Sequence, residues 1–429
     1  MSMVYENCGV KVIVNKNEKL CYFYNGRRVC RKIGDIYIQM VEEYLRPTKK
    51  LESYFKRGNF NLCNLGLPDL QFKKVITNKD KGSASNSIIV MATAMSEDVV
   101  AKITFEENNK SFDNSLAVEA HFYEHVIPKL KIFTPNLMTF LGNGSCKNFI
   151  DTLSYMRNRG QPFAKELSIE TDIIHKGDRN KKYDFNTANL LVTKKAGGKE
   201  LSKWLETEWH GWNQVEREHF ISDVLLQIAY TLTVFEDVGI IHNDLHSGNV
   251  FVEQLDTPLN LSFGITDKKT VSRNVSFFVR IFDFDHSAKI ATIHWDYIVH
   301  NNLLSSFLCK SVGECNEFRR NADWFTVLHF MYAIVKYKPI ETIIRSDLLN
   351  LRTQQKDPIT GRPIKNNFKL LAHMGHACQC ENNSCDTCKP INLDDPSLVV
   401  SPVIFIEKHF NITKCTPYFK RPAFGIPIR

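Results

Sequence analysis

The feature that most constrains this chain is the order helix, polar loop, apolar strand over residues 215–253. Residues 215–238 carry Val224, Leu225, Ile228, Leu232 and Phe235 at helical spacing, and Gly239 supplies the stop. The loop that follows, within GIIHNDLHSGNVFV (residues 239–252), sets Asp244 and Asn249 five residues apart ahead of a strand at 249–253. A second apolar strand, at 279–282 in VRIFDFD, ends on Asp283. Shaping a turn is the plain role for an Asp and an Asn in a loop. A turn does not require a second acidic strand end downstream. Two oxygen donors from separate loops suit Mg²⁺ that also holds nucleotide phosphates, because the ion is hard and keeps its other positions for water and substrate. A further carboxylate would take or orient the proton of an attacking hydroxyl.

The rest of the chain sets the fold class. KLCYFYNGRRVCRK (residues 19–32) predicts a hairpin about Asn25-Gly26, the dipeptide that suits a type I′ turn. Short helices are expected at 36–45 and 51–60. Residues 72–105 read as strands, with SIIVMA (87–92) and VVAKITF (99–105) rich in β-branched residues. Residues 114–130 read as a helix with Leu116, Ala120, Tyr123 and Ile127 on one side. Further strands are expected at 136–141 and 189–193, with the long polar segment 145–188 an insertion between them. From 324–337 onward the pattern is helical, and Ser401-Pro402 opens a short helix over 402–410. Strands first and helices later argue for an α+β protein with a sheet-rich and a helix-rich lobe.

Composition narrows the class. With 43% hydrophobic and 24% charged residues the chain is ordinary globular material. No run approaches the ~18 apolar residues of a membrane helix, and the first residues lack a basic stretch followed by an apolar run. A cytoplasmic protein without a membrane span is expected, its twelve cysteines reduced. Residues 1–80 hold 15 Lys and Arg against 8 Asp and Glu, so they carry seven of the eight net positive charges. Such a region is either a solvated surface or a contact for an acidic partner or nucleic acid.

In these motifs the chain resembles the protein-kinase superfamily. His242-Asn243-Asp244 stands where that family has His-Arg-Asp, with Asn249 at the expected offset, and Asp283-Phe284-Asp285 stands for Asp-Phe-Gly. Val100-Ala101-Lys102-Ile103 matches the strand that carries the family's phosphate-binding lysine. The resemblance covers roughly residues 72–340 and implies an ATP- and Mg²⁺-dependent Ser/Thr protein kinase with protein substrates. It implies that Asp244 is the catalytic base, that Asn249 and Asp283 hold Mg²⁺, and that Lys102 touches the α and β phosphates. Glu119 is then the ion-pair partner of Lys102, with Glu124 its competitor. Gly82, Ala84 and Ser87 occupy the glycine-loop spacing, of which only the first glycine remains; Ala101, Thr193 and Lys195 would line the nucleotide. Thr193 leads into a hinge, Lys194 to Ala196, and the turn Gly197-Gly198. Asp323 either braces the catalytic-loop backbone or caps an ordinary helix. The implied layout is a basic extension with hairpin and helices at 1–71, a β-rich lobe at 72–193 containing the insertion, a helical lobe at 194–345 and a C-terminal extension at 346–429.

The departures from the family set the alternatives. Residues 255–273 lengthen the span between Asp244 and Asp283 and read as an extended hairpin or loop. Asp285 replaces the usual glycine and competes with Asp283 as metal ligand. His246 replaces the lysine common in Ser/Thr kinases, and Asp-x-His-x-x-Asn is shared by haspin-like kinases and by antibiotic and choline phosphotransferases. A small-molecule kinase is therefore one alternative. A pseudokinase scaffold, suggested by the degenerate glycine loop, is another. A nucleic-acid-binding module built on the basic N-terminus and the cysteines is a third. The wording HNDLHSGN, FDFDHS and the YFYNGRR hairpin is similar to Ser/Thr kinases of large cytoplasmic DNA viruses such as iridoviruses, which implies host cytoplasm or virion. Near the C-terminus, Cys378, Cys380, Cys385 and Cys388, with His376, form a candidate structural zinc cluster, with unliganded thiols and redox chemistry as the competing readings.

Overall fold

The structure is a computed structural model, and it describes residues 3–7, 10–14, 19–24, 27–32, 70–76, 87–108, 119–178, 183–266, 269–289, 323–324, 326–328, 331, 401–414, 419 and 421. The expected helices at 36–45 and 51–60 lie outside them, as do Gly82, Ala84 and the four clustered cysteines. The fold is α+β with antiparallel sheets. Two compact units emerge: Leu45–Val126 with Met138–Ala196, and Met1–Tyr44 with Ile127–Leu137 and Gly197–Arg429. No helix among the described residues is long and apolar enough to cross a membrane.

The N-terminus holds two hairpins. Strands β1 (Met3–Asn7) and β2 (Val10–Val14) pair antiparallel. Strands β3 (Lys19–Tyr24) and β4 (Arg27–Lys32) pair antiparallel with Tyr24 opposite Arg27, as the expected hairpin requires.

The first compact unit is a five-stranded sheet in the order β5-β6-β7-β9-β8. Its strands are β5 (Leu70–Ile76), β6 (Ile88–Ala94), β7 (Glu97–Glu107), β8 (Phe140–Cys146) and β9 (Tyr183–Lys194). Met95 and Ser96, both at positive φ, turn β6 into β7. Alternation sends Val99, Ala101, Ile103 and Phe105 to one face of β7, all buried. That face is covered by α1 (Phe149–Asn158) and α2 (Pro162–Gly177). The segment expected as a polar insertion is therefore part of this core: Phe149, Leu153, Leu167 and Ile174 pack with the strands. The strand expected at 136–141 begins four residues later, because the backbone before it pairs elsewhere: Ile281 N donates to Asn136 O at 2.9 Å and Leu137 bridges to Ile281. Cys146 is disulfide-bonded, so the expectation of reduced thiols fails there.

The other unit is organised by one long helix. After β10 (Lys199–Glu200) and α3 (Leu201–Thr207), helix α4 runs Gln214–Asp237, started by a capping box between Asn213 and Glu216. Its expected stripe is buried, and so are Asp223, Gln227 and Thr231. These polar side chains serve strand β13 (Thr270–Ile281), which pairs with β12 (Val250–Gly264) in one long hairpin, so of the hairpin or loop expected over 255–273 the hairpin is observed, continuous with the strands expected at 249–253 and 279–282. Asp223 accepts the N–H groups of Ser276 at 2.8 Å and Phe277 at 3.2 Å and pairs with Arg273. Gln227 accepts from Val279 N at 3.1 Å and donates to Phe277 O at 2.7 Å. A helix thus supplies the bonds that a further strand would make, since buried backbone groups must be paired. Two short strands, β11 (Ile240–Ile241) and β14 (Ala288–Lys289), pair antiparallel. Helix α5 (Pro402–His409), capped by Ser401, packs on α4, and β15 (Ile412–Thr413) joins β13. Phe419 bridges to Phe263, and Arg421 pairs with Asp237.

Candidate functional site

Gly239, at φ +70°, ends α4 and turns the chain into β11. The next residue after β11, His242, is fully buried. Its N–H donates to Asp323 Oδ2 at 2.7 Å, and the N–H of Asn243 donates to Asp323 Oδ1 at 2.8 Å. Of the two roles open to Asp323, bracing this backbone is the observed one. Burial pushes the Asp323 carboxyl up, opposed by His242 and the two N–H bonds. The His242 ring meets Phe282 O through Nε2 at 2.9 Å and lies 4.9 Å from the Phe284 ring. Ser287 Oγ donates to His242 O at 3.1 Å. Asn243 sits at φ +69° and its amide donates to His286 O at 3.2 Å. Left-handed backbone at a non-glycine residue costs energy and persists where its surroundings hold it.

Inside this frame Leu245 is buried and Asp244 is 40% exposed at its side chain. Asn249 Nδ2 donates to Asp244 O at 2.8 Å and to Asp244 Oδ2 at 3.2 Å. The donor side of the Asn249 amide is therefore committed to Asp244, which turns its Oδ1 the other way. The strand end follows from the hairpin: Val250 pairs with Ile281, and Phe282 N donates to Asn249 O at 3.2 Å. Asp283, the next residue but one to Ile281, takes φ +68°. Phe284 is fully buried against Phe235 and His242 and anchors the turn. The structure thus brings Asp244, Asn249 and the Asp283 backbone to one loop cluster.

Lys102 lies on β7, on the face opposite Ala101 and Ile103. Its Nζ is 2.8 Å from Glu119 Oε2, with side-chain exposures of 15% and 2%. Glu119 stands just ahead of a π-helical turn, Phe122–Val126. Glu124, in that turn, is half-exposed and faces His125 at 3.8 Å, so Glu119 is the partner of Lys102. Ser87, Ala101 and Thr193 are buried. Lys195 pairs with Asp98 at 3.3 Å, and hydrogen bonds from Lys73 and Lys195 hold the Asp98 carboxyl below the usual carboxylate range. The N–H groups of Lys194 and Lys195 are taken by Thr139 O at 2.8 Å and Asp98 O at 3.2 Å. Gly198, at φ +81°, brings the following turn so near β12 that a Cβ would lie 2.0 Å from Val252 O.

Sequence reasoning missed Ser287 and Gly248 as supports of the loop. Ser287 follows FDFDH directly, and Gly248 stands between Asp244 and the strand; neither residue type signals its partner. Among the described residues no group of three or more His, Cys, Asp or Glu side chains is placed to hold a metal. A magnesium ion shared with phosphates needs only one or two protein oxygens. No family model matches the chain, and no curated protein matches it.

Proposed function

We propose that the chain is an ATP- and Mg²⁺-dependent phosphotransferase of two-lobed, protein-kinase-like architecture, acting on Ser or Thr hydroxyls of proteins. The observation that carries this reading is Asp244: a carboxylate 40% exposed, in a loop whose backbone is clamped by a buried aspartate. A side chain that only shaped a turn would need no such frame. Asp244 takes the acceptor hydroxyl's proton as the new O–P bond forms and the bond from the γ-phosphorus to the β–γ bridging oxygen breaks. Lys102, oriented by Glu119, holds the α and β phosphates. The donor set fits magnesium: Asn249 keeps its amide oxygen turned from Asp244, and Asp283 adds a carboxylate. The ion, when bound, draws negative charge from the phosphate oxygens. Asn249 and Asp283 would hold it, with Asp285 the competing carboxylate.

A small-molecule acceptor is the second reading, favoured by His246 at the position where Ser/Thr kinases carry lysine. The likeness to kinases of large cytoplasmic DNA viruses extends the proposal to host cytoplasm or virion. The test is single-turnover transfer from γ-labelled ATP to a generic protein substrate, with Asp244→Asn alongside. Transfer to protein that falls by about 10²-fold or more in the variant supports the reading. Equal rates would overturn the proposed base, and label on small alcohols alone would move the acceptor class.

A further inference from the structure

Resting on that reading, the geometry points to His246 as a positioning residue, held in one tautomer, that decides which oxygen of Asp244 receives the proton. His246 precedes the short 3-10 turn Ser247–Asn249, and its Nδ1 accepts the Gly248 N–H at 3.0 Å. A ring nitrogen that accepts carries no proton, so in the neutral imidazole the proton sits on Nε2. Nε2 is the atom that faces Asp244, 3.6 Å from Oδ2. Asn249 Nδ2 reaches that same oxygen at 3.2 Å. Asn249 thus donates to Oδ2 and His246 Nε2 stands 3.6 Å from the same oxygen, while among the described residues no hydrogen bond is made to Oδ1. Oδ2 is the oxygen held negative, and Oδ1 is the one that meets the acceptor hydroxyl. The 3.6 Å separation is long for a hydrogen bond. Contacts of this kind tighten when substrate is in place.

Gly248 is part of the device. A Cβ at that position would lie 2.8 Å from His246 Cε1 and 3.0 Å from Nδ1. Any side chain there displaces the ring from Asp244. The His246 side chain is itself 53% exposed, so it adds little to the packing of the unit. Its sequence position between two site residues is explained by what it does to Asp244.

Histidine-labelled full-length protein, studied by long-range proton–nitrogen correlation, reads the tautomer directly. The signal is assigned by its loss in His246→Gln. The expected result is an Nε2–H ring with a hydrogen-bonded Nδ1, and loss of that bond in Gly248→Ala. An Nδ1–H ring, or a ring averaging between forms, overturns the inference. Transfer kinetics give the second arm. Glutamine sets an amide nitrogen near the place of Nε2, whereas asparagine sets an amide oxygen near Nδ1 and offers Asp244 no donor. His246→Asn is expected to lower kcat about tenfold with an unchanged KM for ATP, and His246→Gln to recover most of it. Equal kcat in the two variants, or a loss confined to KM, overturns the role. Asp244→Asn in the same assay keeps the two claims apart. If it transfers phosphate as fast as wild type, the assignment of Asp244 as the base fails while the tautomer still stands on its spectrum.

Discussion

The Lys102–Glu119 pair and the Asp244–Asn249 loop hold their charges in opposite ways. Glu119 is almost wholly removed from water and is answered by an ammonium at 2.8 Å. Asp244 keeps its carboxylate wet, and the order is supplied by backbone clamps on its neighbours. In the first region charge and structure are inseparable, because a buried ion without its partner is costly. In the second they are separable, because the charge can be removed while the frame stays. The contrast teaches that mutating the two regions has different meanings: one tests stability and chemistry together, the other tests chemistry almost alone.

The largest expected effect is on that separable side. Asp244→Asn should lower phosphoryl transfer by about 10²- to 10⁴-fold while changing unfolding free energy by less than about 0.5 kcal/mol. Urea denaturation beside the transfer assay checks both numbers. A variant that lost stability in step with activity would erase the contrast. Next comes Lys102→Met, which removes the cation from a buried carboxylate and should cost about 3–5 kcal/mol. The double change Lys102→Met with Glu119→Leu should recover most of that stability and none of the transfer. If the double variant stayed as unstable as the single one, the pair would not be what orders this part of the sheet.

Asp323 sharpens the comparison from the other direction. Asp323→Ala strips two buried N–H groups of their acceptor and should cost about 2–4 kcal/mol. The pH dependence has a definite sign. Burial raises the Asp323 carboxyl above its ordinary value of 3.8, so the folded chain keeps this proton to higher pH than the unfolded chain. Its stabilising share is complete below 3.8 and is lost as pH rises through the folded value. The stability gap between wild type and Asp323→Asn should therefore narrow as pH rises from that value. Urea titrations across this range check it, and a widening gap would show the carboxyl to be depressed instead.

Much of this was readable from residues alone, for identifiable reasons. The hairpin about Asn25-Gly26, helix α4 and the long β12–β13 hairpin follow from local chemistry: a turn dipeptide, an apolar stripe and two β-rich runs. The pairing of Lys102 with Glu119 and the closeness of Asp244 to Asn249 were expected from spacing and are observed, whereas the roles of these residues and of Asp283 belong to the proposal. Helices α1 and α2 were not, because Ile169 and Ile173 lie exposed on α2 while Glu170 and Thr171 are buried, which blurs the apolar stripe. The partners of Asp223 and Gln227 were hidden for a related reason. They are polar residues within an apolar helix, and their use becomes apparent once β13 is placed beside them.

The smallest expected effect asks which acidic residue belongs to Lys102. Seventeen residues separate Lys102 from Glu119 and twenty-two separate it from Glu124, so helix phase alone left both open. Glu124 is half in solvent, and its neighbour there is the exposed ring of His125 at 3.8 Å. An exposed contact of this kind is worth little, so Glu124→Ala should change stability by less than about 0.5 kcal/mol and leave transfer untouched. Glu119→Ala should lower both. The two substitutions remove the same chemical group from positions five residues apart, so differences in solubility or net charge cancel between them. What remains is burial and the ammonium. Equal behaviour of the two variants would mean that the lysine is held by something other than Glu119, and the contrast between the two regions would lose its first half.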